Sequence, residues 1–538
     1  MTTLTDRARL WLDQDPDDET RTELQQLLDD GDTAALEDRF AERLQFGTAG
    51  LRGELGAGPN RMNRVIVAQA AAGLAAYLKQ HEDDPSVVVG YDARYKSERF
   101  ARDTAEVMQG LGVRAHLLPT HLPTPVLAFA IRHLGVSAGV MVTASHNPPR
   151  DNGYKVYLGD SSQIVPPADA DISAEIDRVG RVDELPRSSD YTVLGDDVAA
   201  AYVEACVALA SDGPRDVVAV YTPMHGVGRD TLLEVLDRAG FPAPHVVTEQ
   251  GDPDPAFPTV AFPNPEEPGA MDLALALASD VDADVIIAND PDADRCAVGV
   301  RDGDGHRMLS GDQVGSLLGH YMLERGAEGT YAASIVSSSV LGRQAEAAGR
   351  PWRQTLTGFK WLGKIDDLAY GYEEALGYSV APHIARDKDG VSAALAVHEL
   401  AASLKAEGRT LLDLLDDIAR EHGLHATTQL SVRVDDRSII SDAMTTLRTS
   451  PPESLGGLAV TSVDDLEDGY EGLPPTDGIR IGLEGGARVI ARPSGTEPKL
   501  KCYLEVVVEA GADVDAARRE AGERLDAIKA DLSTLLGL

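Results

Sequence analysis

Two groups of residues in this chain have the types and spacing that chemistry needs. The first is Asn289-Asp-Pro-Asp-Ala-Asp-Arg295, which sets Asp290, Asp292 and Asp294 at alternate positions. In an extended loop, alternate residues share one side and the carboxylates converge. Three such groups repel one another unless a hard cation lies among them, and an all-oxygen donor set favours Mg²⁺ over zinc. The second is Thr143-Ala-Ser-His-Asn-Pro148, which offers Ser145 on a polar loop that Pro148 and Pro149 keep from becoming a helix. A serine hydroxyl is a weak nucleophile and needs a base or covalent activation. Mg²⁺ held by three carboxylates keeps open positions for a phosphate oxygen, which a phosphorylated Ser145 would supply. A phosphoserine adds roughly −1.5 to −2 charges, so with three carboxylates and one divalent ion the site stands near −3. Cations are therefore required, and Arg295, Lys155 and His146 are the candidates. Lys155, in Asp151-Asn-Gly-Tyr-Lys155, would also serve as a proton shuttle if its pKa is lowered. Together these loops point to phosphoryl transfer.

Both loops follow apolar runs, Val140–Val142 and Ala283–Ala288, that read as buried strands. Open α/β sheets gather ligands at the carboxyl ends of their strands, where Ser145 and the aspartates then lie. The pattern before them is helical over residues 1–43. A glycine-rich loop follows, Phe46-Gly-Thr-Ala-Gly-Leu-Arg-Gly-Glu54, in which Arg52 could grip a phosphate. Val65–Leu78 reads as a core helix, Pro85–Asp92 as a strand entering a loop and Ser97–Leu111 as an amphipathic helix. Asp216–Tyr221 opens a second strand-loop-helix unit, and the Pro-rich stretch 251–268 is a loop. Ser310-Gly-Asp-Gln313 has the form of a capping box for a helix running to Glu324. From about Thr427 the pattern turns to short strands and closes with a helix over Val514–Leu536.

Other matches are deceptive. Gly135-Val-Ser-Ala-Gly139 spells a nucleophile elbow, yet its strand follows the serine instead of preceding it. Gly358-Phe-Lys-Trp-Leu-Gly-Lys364 imitates a P-loop but carries Ile365 where a metal-binding hydroxyl belongs. The aspartate loop begins like an EF-hand, then has Arg295 and Arg301 where that loop needs Gly and Glu. Glu373 and Glu374 suit bidentate hydrogen bonds to sugar hydroxyls, although such a pair alone is ordinary solvated surface. Arg492-Pro-Ser-Gly-Thr496 joins a guanidinium to hydroxyls and a glycine that lets backbone N–H groups face an anion.

The totals are compatible with such an enzyme. At 538 residues the chain needs several cores. Acidic residues outnumber basic ones 88 to 49, a net charge of −39 that disfavours nucleic acid and anionic membrane as partners. Cys206, Cys296 and Cys502 lie far apart, against a disulfide framework or zinc site, and no secretory leader opens the chain; a reducing cytoplasm is expected.

Taken in order, the Ser145 loop, the aspartate loop, Gly371-Tyr-Glu-Glu-Ala-Leu-Gly377 and Arg492-Pro-Ser-Gly-Thr-Glu-Pro498 resemble the four active-site loops of the α-D-phosphohexomutases. The resemblance implies three related α/β domains (1–210 with the N-terminal helical cap, 211–308 and 309–426) and a smaller α+β domain (427–538) around a central cleft. It implies that Ser145 is the phosphoserine and also a metal ligand beside Asp290, Asp292 and Asp294. Arg52, His146, Lys155 and Arg295 would surround the reacting phosphate. Glu373, Glu374, Thr357, Gly358 and Lys388 would bind the sugar phosphate. Arg492, Ser494, Gly495 and Thr496 would hold the phosphate not being transferred. The expected reaction is reversible transfer between glucose 1-phosphate and glucose 6-phosphate, with Mg²⁺ and a sugar 1,6-bisphosphate intermediate, by a monomer or homodimer. Pentose or mannose phosphates are alternatives, as is a non-catalytic sugar-phosphate sensor. Ala375 stands where many phosphoglucomutases carry a serine, which removes one hydroxyl contact to the sugar.

Overall fold

The computed structural model describes residues 3–47, 50–434, 436, 438–493 and 499–537. It divides into two compact units, one of residues 1–309 and 377–406, the other of 310–376 and 407–538. The expected third domain therefore contributes to both.

The first unit holds two sheets. In the first, β1 (Leu51–Glu54), β2 (Ser86–Tyr91), β3 (Arg114–Leu117), β4 (Ala138–Val142), β5 (Asp151–Leu158) and β6 (Thr192–Val193) lie in the order β1-β5-β4-β2-β3-β6. β4, β2, β3 and β6 are parallel, while β5 runs antiparallel to both β4 and β1. Every residue of β2 and of β4 is buried, which is why these strands read as unbroken apolar runs. The helix Arg64–His81 covers the sheet, started by Asn63, whose side chain accepts from the Ile66 amide at 3.0 Å. Its alanine-rich face permits close packing: a Cβ at Gly73 would lie 2.7 Å from the backbone nitrogen of Ile176.

The second sheet comprises β7 (Ala219–Thr222), β8 (His245–Val246), β9 (Val285–Ala288), β10 (Ala297–Asp302) and β11 (Gly305–Met308), in the order β11-β10-β9-β7-β8. β9 and β8 run parallel to β7, and β10 folds back antiparallel on β9. The metal-type loop is thus the short connection from β9 to β10.

In the second unit, β12 (Thr330–Ser334), β13 (Trp352–Thr355) and β14 (Leu368–Glu373) are parallel, with β12 central. The helix Gly311–Glu324 carries the expected capping box, with both the Ser310 and Gln313 halves formed. β15 (Gly377–Ser379) begins the segment that returns to the first unit. An antiparallel sheet follows, built from β16 (Leu424–Arg433), β17 (Ser454–Leu455), β18 (Leu458–Asp465), β19 (Ile479–Leu483), β20 (Arg488–Pro493) and β21 (Lys499–Val508), and the helix Val514–Leu536 packs on it. Among the described residues, no helix is long and apolar enough to cross a membrane.

Candidate active site

The loop after β4 is set by its own side chains. The Thr143 hydroxyl accepts from the Ser145 amide at 2.9 Å, and the Asn147 amide closes a turn on the Ala144 carbonyl at 3.1 Å. Ser145 takes a left-handed conformation, φ 52°, which costs a non-glycine residue on the order of 1–2 kcal/mol. Such strain persists only where surrounding contacts impose it. The result aims a buried hydroxyl at the neighbouring loop: Ser145 Oγ donates to Asp290 Oδ2 at 2.6 Å and lies 3.1 Å from His146 Nδ1.

The loop from β9 to β10 is a tight turn, not the extended segment expected from its alternation. The Ala293 amide donates to the Asp290 carbonyl at 2.8 Å, with Ala293 itself at φ 53°. Asn289 spans the loop, donating to the Arg295 carbonyl at 2.6 Å while accepting from the Tyr221 hydroxyl at 2.9 Å. Gly226 presses on it from below, since a Cβ there would lie 2.4 Å from Pro291 Cα. This curl, rather than strand-like alternation, brings the three carboxylates to one point, with ligand atoms within 4.8 Å of one another.

Asp292 Oδ1 and Asp294 Oδ1 are buried and find no hydrogen-bond donor among the described residues. Orphaned carboxylate oxygens in a buried all-oxygen cluster fit a hard divalent cation such as Mg²⁺. Their other oxygens are taken: Lys155 Nζ donates to Asp292 Oδ2 at 2.7 Å and to Asp294 Oδ2 at 2.8 Å, and Thr124 Oγ1 donates to Asp292 Oδ2 at 2.6 Å. Lys388 Nζ is 3.3 Å from Asp294, and Arg295 Nε is 3.9 Å from both Asp290 and Asp294. Titration follows this division. Burial, then Asp292 and Asp294, push Asp290 well above the usual carboxylate range. Burial also raises Asp294, but Lys155, Lys388 and Arg295 outweigh it and hold the group far below that range. For Asp292, Lys155 and Thr124 overcome burial and Asp294, and the net shift is downward.

Two expectations about cations change here. Burial lowers Lys155, but the two aspartates raise it further, so the condition for its acting as a neutral proton acceptor is not met. His146 is pushed well below its ordinary value by burial, Arg295 and Arg52, so beside an unmodified serine it is a neutral imidazole and adds no positive charge. Arg52, on β1, donates to the Asn147 side chain at 3.1 Å and so stands over the serine loop.

In the second unit, Glu373 ends β14 instead of lying in a loop, and its Oε1 accepts from the Gly358 amide at 2.6 Å. Gly358 is at φ 107°, a conformation that requires glycine. Glu374 Oε2 is held by the hydroxyls of Ser334 and Ser337, each at 3.0 Å. Arg492, on β20, donates to the Thr357 hydroxyl. Ser494, Gly495 and Thr496 lie outside the described residues.

Sequence reasoning missed Thr124, which meets the aspartate loop through both its hydroxyl and its amide, and Arg94, which holds the serine loop. Both follow or flank strand ends of the first sheet, and that position was the available signal. It also placed Lys388 among sugar ligands without its contact to Asp294.

Comparison with known proteins accounts for this arrangement. The α/β/α domains I, II and III of phosphoglucomutase/phosphomannomutase match residues 43–182, 200–305 and 310–422, and the C-terminal domain of the same enzymes matches residues 444–522. The chain belongs to the α-D-phosphohexomutase family. It is a phosphosugar mutase, an isomerase that moves phosphate within one sugar. A probable phosphomannomutase of Haemophilus influenzae is 50% identical over 86% of this chain and 96% of its own. The phosphopentomutase of Mus musculus is 34% identical over 96% and 93%, and a Staphylococcus haemolyticus phosphoglucomutase is 36% identical over 89% and 93%. A crystal structure described as a putative phosphomannomutase from Thermus thermophilus superposes with a TM-score of 0.71 at 26% identity, over 90% of this chain and 99% of that one.

Proposed function

We propose that this mutase interconverts glucose 1-phosphate and glucose 6-phosphate through a phosphoserine at 145 and a bound glucose 1,6-bisphosphate. The supporting observation is the 2.6 Å hydrogen bond from the Ser145 hydroxyl to Asp290, one of three clustered carboxylates. Asp290, Asp292 and Asp294 would hold Mg²⁺, which neutralises charge on the phosphoryl group in flight. In the forward direction the bond from phosphorus to Ser145 Oγ breaks as one forms to the free sugar hydroxyl, whose proton ends on the Ser145 oxygen left behind. The bisphosphate turns over, and its other phosphoryl group returns to Ser145. His146, a neutral imidazole 3.1 Å from Oγ, is suited to carry the serine proton in that return. Lys155, Arg52 and Arg295 keep their positive charge and steady the phosphoryl oxygens. Glu373 reads the sugar hydroxyls, and Arg492 with Ser494, Gly495 and Thr496 grips the distal phosphate. The domain limits 1–210, 211–308, 309–426 and 427–538 belong to the same reading.

Pentose phosphates are the second reading, favoured by Ala375 and by the pentomutase relative that aligns over nearly its full length. The test is a panel of glucose 1-phosphate, ribose 1-phosphate and mannose 1-phosphate with Mg²⁺ and a catalytic amount of the matching bisphosphate. The expected kcat/KM for the glucose substrate exceeds the others by about tenfold or more, the scale that a single misplaced sugar contact sets. A faster pentose or mannose reaction overturns the choice of sugar. Retained turnover by Ser145→Ala overturns the phosphoserine mechanism, and stoichiometric free phosphate would mark a hydrolase instead.

A further inference from the structure

Within its own loop the left-handed serine is met by the Thr143 hydroxyl, the His146 ring and the turn that Asn147 closes on Ala144. A further restraint comes from outside the loop: Arg94, only 4% exposed, stands two positions after Asp92, beyond the end of β2. One guanidinium nitrogen donates to the carbonyls of Ser145 and Asn147, both at 2.6 Å. Another donates to those of Pro148 at 2.8 Å and Asp151 at 3.3 Å. Arg94 therefore grips four carbonyls spanning the whole loop. The fork is itself aimed: Arg94 Nε lies 3.4 Å from Asp92 Oδ2, and Asp92 Oδ1 accepts from Ser97 Oγ at 2.6 Å. Phe257, from the Pro-rich loop that precedes β9, lays its ring against the guanidinium, 4.9 Å from ring centre to the Arg94 Cζ. Phe257 is buried and held at φ 46°. That loop therefore sets a ring against the clamp.

We propose that Arg94, closed down by Phe257, is the positioning residue that holds Ser145 in its left-handed conformation with Oγ directed at Asp290. Phe257 thereby links the second sheet's Pro-rich loop to the serine loop. The inference rests on the reading of Ser145 as the phosphoryl carrier. A lysine cannot replace the clamp, because a point ammonium with three donors does not span four carbonyls in one plane as a guanidinium fork does.

The experiment uses the full chain with Mg²⁺, glucose 1-phosphate and glucose 1,6-bisphosphate. Arg94→Lys is expected to lower kcat on the order of 100-fold, the cost of a misplaced reacting group, while KM moves by less than about twofold. Phosphorylation of Ser145 by the bisphosphate, followed by intact mass, should slow in proportion. Arg94→Ala should regain about tenfold in kcat when millimolar methylguanidinium refills the clamp, a response that a merely structural role does not give. Phe257→Leu keeps an apolar core residue and is expected to lose several-fold in kcat with unchanged melting; it decides the matter if the arginine variants do not fold. An Arg94→Lys or Phe257→Leu enzyme with wild-type kcat, or a folded Arg94→Ala enzyme indifferent to methylguanidinium, overturns the proposal. Ser145→Ala separates the two readings: if it stays active, the phosphoserine reading falls, and if it is dead while Arg94→Lys is normal, only the clamp falls.

Discussion

Replacing Lys155 with methionine tests how the carboxylate cluster is balanced. The ammonium lies 2.7 Å from Asp292 and 2.8 Å from Asp294, and its side chain is 8% exposed. At an effective dielectric of about 20, each contact contributes about 6 kcal/mol of attraction. Desolvation of a buried ammonium offsets several kcal/mol of that sum, and losing one partner of a buried pair costs about 3–5 kcal/mol because the other charge is left uncompensated. With EDTA present, Lys155→Met should therefore melt roughly 6–10 °C below the wild type, taking about 2 °C per kcal/mol for a unit of this size. A divalent ion binding the freed carboxylates reverses part of the loss, by about 2.7 kcal/mol at a hundred times its Kd. Scanning calorimetry of both proteins, in EDTA and in excess Mg²⁺, reads these shifts. The Mg²⁺-induced rise in Tm should be larger for the variant than for the wild type, because the variant's cluster carries one more net negative charge. Equal melting in EDTA, or an equal or smaller response to Mg²⁺, refutes the claim that Lys155 balances these carboxylates.

Two further outcomes follow from buried contacts. Thr124→Val deletes the hydroxyl that donates to Asp292 at 2.6 Å while keeping the shape, so Mn²⁺ affinity measured by paramagnetic resonance should fall about 10- to 100-fold. Unchanged affinity would show that Thr124 only packs. In the second unit, Asp312 is buried and its pKa is pushed up to about 6, mainly by desolvation, against the donors Ser338 and Thr427. A raised carboxyl pKa penalises the charged native state above the unfolded value, so stability should increase as pH falls through about 6 toward the unfolded value of 3.8. Asp312→Asn should abolish that rise and gain about 1–3 kcal/mol at pH 8, read by urea denaturation.

The parts of the site legible in the sequence are those specified locally. The runs that became β4 and β9 are buried along their whole length, so their apolar character announced both the strands and the loops beyond them. The box at Ser310 and Gln313 could be read because both halves lie within one turn. What stayed hidden depends on sheet order. Lys155 was placed near the serine loop only by its closeness in sequence, in Asp151-Asn-Gly-Tyr-Lys155. In the fold this segment is β5, paired to β1, and Met141 faces Lys155 across the strands. No local pattern says that β5 inserts antiparallel between β1 and β4, and that insertion alone carries the ammonium to the aspartates. Thr124 and Asp292 are likewise 168 residues apart in sequence. The alternation of the aspartates gave the right convergence for the wrong reason, since a turn through a left-handed Ala293 produces it.

Charge balance, which sequence could only pose as a deficit near −3, has a definite solution in the fold. Asp290, Asp292 and Asp294 are matched by Lys155, Lys388 and Arg295, each within 3.9 Å of at least one of them. His146 adds no charge, being neutral. With all three carboxylates ionised these groups are formally neutral, although burial and its neighbours push Asp290 toward holding its proton until a cation is present. A divalent ion then adds +2, and a phosphoserine about −1.5 to −2, so the two nearly cancel. Either alone would leave a buried excess charge, which is expensive. On the proposed reading the site would be matched to metal and phosphoryl group together, so metal affinity, titrated on both forms, should be higher for the phosphorylated than for the unmodified serine.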